Sequence, residues 1–132
     1  MNEKEKSILV AEEDPAGNLL AKRLAMHHFK VVAVTDGLQA LRELHNRHFD
    51  AVIADVHLPY FDGFDLFRQC HLVWPELPVV LLSSHTPEVV EPAVAQGVYA
   101  FLPKPIDVGK LICVLSEAIA CQTSAVVAPK MT

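Results

Sequence analysis

The chain has 132 residues, 52% of them hydrophobic and 20% charged, with 11 basic against 16 acidic side chains and a formal net charge of −5. That length suits one domain with one well-buried core, and the composition excludes a disordered chain. The acidic balance, with no run of Lys and Arg, argues against binding of nucleic acid or of a membrane surface by this domain. No apolar run approaches the length of a membrane span. The start, "MNEKEKS", is charged and leads straight into the first apolar run, so no leader is expected and the setting is read as cytoplasmic. Cys70, Cys113 and Cys121 have no metal-like spacing and cannot all pair; they fit a reducing compartment and core packing.

Five short apolar runs mark strands: "SILVA" (7–11), "VVAV" (31–34), "AVIA" (51–54), "PVVLL" (78–82) and "YAFL" (99–102). Each is apolar on both alternating faces, the signature of parallel strands covered by helices on two sides. After the first run, Asp14 can cap a helix and Pro15 take its first position, with Leu19, Leu20 and Leu24 on one face. A second helix is expected from about Gly37 to His48 on Leu38, Leu41 and Leu44. A third, 64–73, follows the turn "YFDG", where Gly63 supplies a permissive backbone. In the fourth, "TPEVVEPAVAQG", Pro92 lies inside the helical stretch and predicts a kink or a late start. The last runs from Asp107 to Cys121.

Five strands in strict alternation with five helices predict a doubly wound, parallel α/β sheet over 7–121, with short tails at 1–6 and 122–132. In such sheets a site lies outside the carboxyl ends of the strands. Those ends carry Glu12 and Glu13, then Asp55, then Ser83 and Ser84, and finally Lys104 before Pro105. Clustered carboxylates invite a hard divalent cation, and Mg²⁺ takes one or two of them while keeping several waters. Asp55 is placed to act as a nucleophile. A phosphoryl group arriving there would have its charge neutralised by the metal and by Lys104, with a hydrogen bond from Ser83.

The acidic cluster "EED", "DAVIADVHLPYFDGFDLF", "PVVLLSS" and "GVYAFLPKP" together resemble the receiver domain of two-component response regulators over about residues 7–121. The resemblance implies the flavodoxin-like strand order 2-1-3-4-5. It implies phosphorylation of Asp55 by a sensor histidine kinase or a phosphotransfer protein. Mg²⁺ would be bound by Glu12, Glu13, Asp55 and the backbone carbonyl of His57. Ser83 and Lys104 would be the family's hydroxyl residue and lysine at the site, with Ser83 and Phe101 forming the switch that an unidentified downstream protein reads. It implies a signalling module that catalyses only its own phosphorylation and dephosphorylation. The Lys104–Pro105 bond is one that is often cis in that family.

The chain departs from the family pattern at particular positions. Glu13 stands where an aspartate is usual, one methylene longer, and Phe101 lacks the hydroxyl of the common tyrosine. Tyr99 and Ala100 replace two acids through which some relatives dimerise, which argues against a dimer of that kind and leaves room for a weak homodimer. His57 and His85 flank the phosphoryl site and are expected to tune the lifetime of the phosphorylated state. The alternative reading is a pseudo-receiver, an interaction module that works without phosphorylation.

Overall fold

The computed structural model describes residues 5–13, 16–84 and 97–127. Five strands, β1 (Ser7–Ala11), β2 (Lys30–Val34), β3 (Ala51–Asp55), β4 (Val79–Ser83) and β5 (Ala100–Pro103), form one parallel sheet in the order 2-1-3-4-5. Each apolar run of the sequence is a strand, shifted by no more than a residue. The reason is burial: all five residues of β3 and of β4 are buried, so neither strand has a solvent face to break its apolar pattern. β2 and β5, at the edges, are more exposed.

Four helices are described: α1 (Ala16–Met26), α2 (Gly37–Asn46), α3 (Gly63–Val73) and α4 (Val108–Val127). The helix expected over "TPEVVEPAVAQG", with Pro92, lies outside the described residues except for Gly97, as do the Asp14 cap, Pro15 and His85. α4 extends through residues 122–127, into the stretch read from sequence as a tail. The sheet separates two cores. On one face Leu9, Val52, Val79 and Leu81 pack with Ala40 and Leu44 of α2 and Leu66, Phe67 and Cys70 of α3. On the other Ile8, Val10, Ile53, Val80 and Leu82 pack with Leu20 and Leu24 of α1 and Leu111, Leu115 and Ile119 of α4.

Two helix faces are rotated from their expected positions. Leu19 is 54% exposed and Leu38 51% exposed, whereas Leu20, Leu24, Ala40 and Leu44 are buried. Residues one apart differ by about 100° on a helix, so Leu19 cannot share the face of Leu20 and Leu24. In α2 the core-facing stripe is Gly37, Ala40 and Leu44, because Gly37 lets the helix start against the Phe61 carbonyl; a Cβ there would fall 1.8 Å from that oxygen. The cysteines also divide. Cys70 is buried and its thiol is pushed up to about 12 by burial, while Cys113 and Cys121 are exposed on α4, not in the core.

Asp36 and Asp62 cap α2 and α3, accepting from the backbone N–H groups of Gln39 at 2.8 Å and Asp65 at 2.9 Å. Asp107 does the same for α4 through Lys110 N–H at 3.1 Å. α1 ends without glycine. His28 takes a left-handed φ of 71°, its N–H bonding Ala25 O at 3.0 Å and that of Phe29 bonding Leu24 O at 3.3 Å. This is the Schellman arrangement, with Phe29 and Leu24 in the same core.

Candidate functional site

The site is built at the carboxyl ends of β1, β3, β4 and β5, where the sheet leaves polar groups buried. Glu12, Asp55 and Ser83 are the buried polar or charged residues among those described, at 5%, 6% and 9% exposure. The backbone holds each in place. Glu12 N–H donates to Val34 O of β2 at 3.0 Å, Val56 N–H to Leu82 O of β4 at 2.9 Å, and Lys104 N–H to Ser83 O at 3.0 Å. Consecutive strand ends are thus laced to their neighbours, and the side chains they carry converge.

The ammonium of Lys104 joins two of those carboxylates. Its Nζ donates to Oε2 of Glu12 at 2.7 Å and to Oδ2 of Asp55. Burial alone would lower the lysine, but the hydrogen bonds and charges of Asp55 and Glu12 outweigh it and hold the ammonium above its ordinary range. The other Asp55 oxygen, Oδ1, accepts the backbone N–H of His57 at 2.9 Å. Both oxygens of Asp55 are therefore oriented. Glu13 is exposed beside this cluster, in contrast to Glu12. Two buried hard-oxygen donors at the ends of adjacent strands fit a small divalent cation, which would share them with the Lys104 ammonium.

The loop from β3 to α3 depends on Gly63, though not for the reason its type suggests. Gly63 has no positive φ; the left-handed residue of the turn is Tyr60, with a φ of 71°. Gly63 serves close approach. A Cβ there would lie 2.5 Å from the Asp55 carbonyl oxygen and 2.8 Å from Val56 Cα, and its N–H bonds Val56 O at 3.0 Å. Tyr60 sits between Pro59 and Phe61, whose O and N–H meet at 2.7 Å in a γ-turn, and its side chain is 84% exposed. Sequence gave no signal for this packing, since what excludes a side chain at 63 is the backbone of residues seven and eight positions earlier.

Phe101 of β5 is half-buried, its ring 6.5 Å from that of Phe64 at the start of α3. The Lys104–Pro105 peptide is cis. Beside Lys104 a cavity of about 300 Å³ opens between α1 and the segment after β5, walled by Glu12, Leu19, Arg23 and Ile106 among others. Asp55, Glu12, Lys104 and Ser83 are thus gathered at one end of the sheet, Phe101 lies one layer in, and His57 meets Asp55 through its backbone. No helix among the described residues is long and apolar enough to cross a membrane.

Residues 8–116 match the family model for the response regulator receiver domain. The chain is 34% identical to the transcriptional regulatory protein GlrR of Escherichia coli K12, over 90% of this chain and 27% of that protein. It is 33% identical to the sensory/regulatory protein RpfC of Xanthomonas campestris, over 95% of this chain and 18% of that protein. It thus spans about a quarter or less of these relatives. Among solved structures, a sensor protein from Polaromonas sp. JS666 superposes with a TM-score of 0.81 at 30% identity, covering 89% of this chain and 98% of that one. A receiver domain from Clostridium thermocellum gives 0.83 at 22% identity, covering 90% and 98%, a likeness of fold.

Proposed function

Because the chain belongs to the response regulator receiver family, a family of signalling modules, we propose that it is a phosphoacceptor switch working in the cytoplasm and charged at Asp55. The donor is the phosphohistidine of a sensor histidine kinase or of a phosphotransfer protein. A carboxylate oxygen of Asp55 attacks phosphorus, the P–N bond to the donor imidazole breaks, and the imidazole leaves with the electron pair. The product is an aspartyl phosphate. The observation that carries this reading is the Lys104 ammonium held between the buried carboxylates of Glu12 and Asp55.

Each residue has a part in that transfer. Lys104, already bonded to Asp55, neutralises charge on a phosphoryl oxygen, and the Ser83 hydroxyl donates to another. Glu12, Glu13, Asp55 and the carbonyl of His57 would hold Mg²⁺, which supplies charge neutralisation of the transferring phosphoryl group. Once Asp55 is charged, Ser83 and Phe101 are the switch. Phe101 has no hydroxyl, so it acts by packing, next to Phe64. Its downstream partner is a protein that reads this surface. The chain catalyses its own phosphorylation and dephosphorylation and turns over no metabolite.

Intact-mass analysis with a small acyl phosphate, with and without Mg²⁺, tests the proposal. A single labile adduct of one phosphoryl group is expected in the Mg²⁺ sample and none in Asp55→Asn. No adduct under any condition would leave an interaction module that works unmodified. His57 and His85 are proposed to set the adduct's lifetime. Replacing both by alanine is expected to change its hydrolysis rate between pH 6 and 8, and an unchanged rate would remove that role.

A further inference from the structure

The amino ends of β3 and β4, opposite the phosphoacceptor, carry a second cavity of about 420 Å³. It lies between the end of α2 and the segment joining α3 to β4, with Leu44, Phe49, Trp74 and Leu77 among its walls. That volume falls within the range of small-molecule sites, which are largely apolar with a few polar groups at the rim. Trp74 is half-buried, and one side of its indole is held by His45, with ring centroids 4.9 Å apart and an interplanar angle of 62°.

Three charged or titratable groups stand at the rim, and they are not equivalent. Arg47 Nε lies 3.0 Å from Glu43 Oε1 in an i,i+4 ion pair, and His48 Nε2 lies 3.2 Å from Asp50 Oδ1. Glu76 is exposed and has no hydrogen bond or ion pair among the described residues. Arg47 and the ring of His48 each face an acid of the same protein, whereas the Glu76 carboxylate faces no basic group among the described residues. An aromatic wall beside an uncompensated carboxylate favours a cation, through the face of the indole and through the charge.

We propose that this cavity binds a small aromatic amine, its ring between Trp74 and the leucines and its ammonium toward Glu76. The inference stands apart from the chemistry of Asp55: this site is at the far end of the strands, and its occupancy needs no phosphorylation. Phe49 and Leu77 lie just before β3 and β4, so an occupied cavity touches the lead-in to the two strands that end in Asp55 and Ser83.

Trp74 is the chain's one tryptophan, so its fluorescence reads the cavity directly. Phenethylamine titrated into the whole chain is expected to give a saturable change, with the isosteric anion 3-phenylpropionate binding at least about fivefold more weakly. Glu76→Gln should weaken the amine by roughly threefold to fivefold, the range of an exposed ion pair. Glu76→Lys should reverse the preference, so that the anion binds better than the amine. Absence of saturation with phenethylamine, equal binding of amine and anion, or variants that bind as the parent chain does would each overturn the proposal.

Discussion

The two ends of the same strands are built by different rules. At the carboxyl ends, buried carboxylates at the ends of β1 and β3 share one lysine, and a glycine is pressed against the backbone of Asp55. At the amino ends, the Asp50 side chain adds to the backbone pairing of β3 with β1 by accepting Ser7 N–H at 2.8 Å, and its other oxygen meets the ring of His48 at 3.2 Å, in a half-exposed setting. Among the described residues each end also carries one left-handed residue outside glycine. His28, at the end of α1, is supported by two Schellman hydrogen bonds; Tyr60, in the loop after Asp55, has one γ-turn bond. Buried charge and close backbone approach are concentrated at the carboxyl ends, while the other end is held by half-exposed local contacts.

That contrast can be broken from the carboxyl end first. Gly63→Ala places a methyl group against the Asp55 carbonyl and should cost about 3 kcal/mol in urea unfolding, together with most of the phosphoryl adduct. A near-neutral result would mean that the loop has room to move. Lys104→Met takes the ammonium from between two buried carboxylates and should cost about 2 kcal/mol, less than a wholly buried pair because the lysine side chain is 23% exposed. Its pH dependence follows from the raised lysine. The stabilising contribution is fully present below the unfolded value of 10.5 and is lost as pH rises through the higher folded value. On the alkaline side the gap between the two proteins should therefore persist above neutral pH and close in strong alkali, as measured by urea midpoints across pH.

Changes at the amino end should be smaller and should leave phosphorylation alone. Asp50→Ala removes the acceptor of Ser7 N–H and should cost about 1 kcal/mol with an unchanged adduct yield. The smallest effects sharpen the comparison of strain. Tyr60→Gly should stabilise by about 0.5 kcal/mol, the relief of left-handed strain less the entropy cost of glycine, and should gain more than His28→Gly. Equal gains in thermal midpoint would show that the γ-turn stores no more strain than the Schellman end.

What the sequence made legible follows the same division. The strands were readable because burial on both faces leaves uninterrupted apolar runs, and Glu12, Asp55, Ser83 and Lys104 because parallel topology sends every strand end to one place. Contacts made by backbone were not readable. Gly63 looked like a turn residue, yet it is the approach of the Asp55 carbonyl that demands it, and the left-handed position falls on Tyr60, which nothing local favours. The outward turn of Leu38 follows from Gly37 meeting Phe61, again a tertiary contact. The split between Glu12 and Glu13, one buried and one exposed, was hidden because both are acids in the same short run.

The distribution of thiols has a practical consequence. Cys70 is buried with its thiol pushed up to about 12, so it stays silent toward reagents that need a thiolate. Cys113 and Cys121 are exposed on one continuous helix, eight residues apart, which is about 12 Å along its axis. A probe clipped to both would be fixed in direction as well as position. The chain thus carries a built-in ruler on α4, against which any movement at the carboxyl ends of the strands could be measured without altering a single residue.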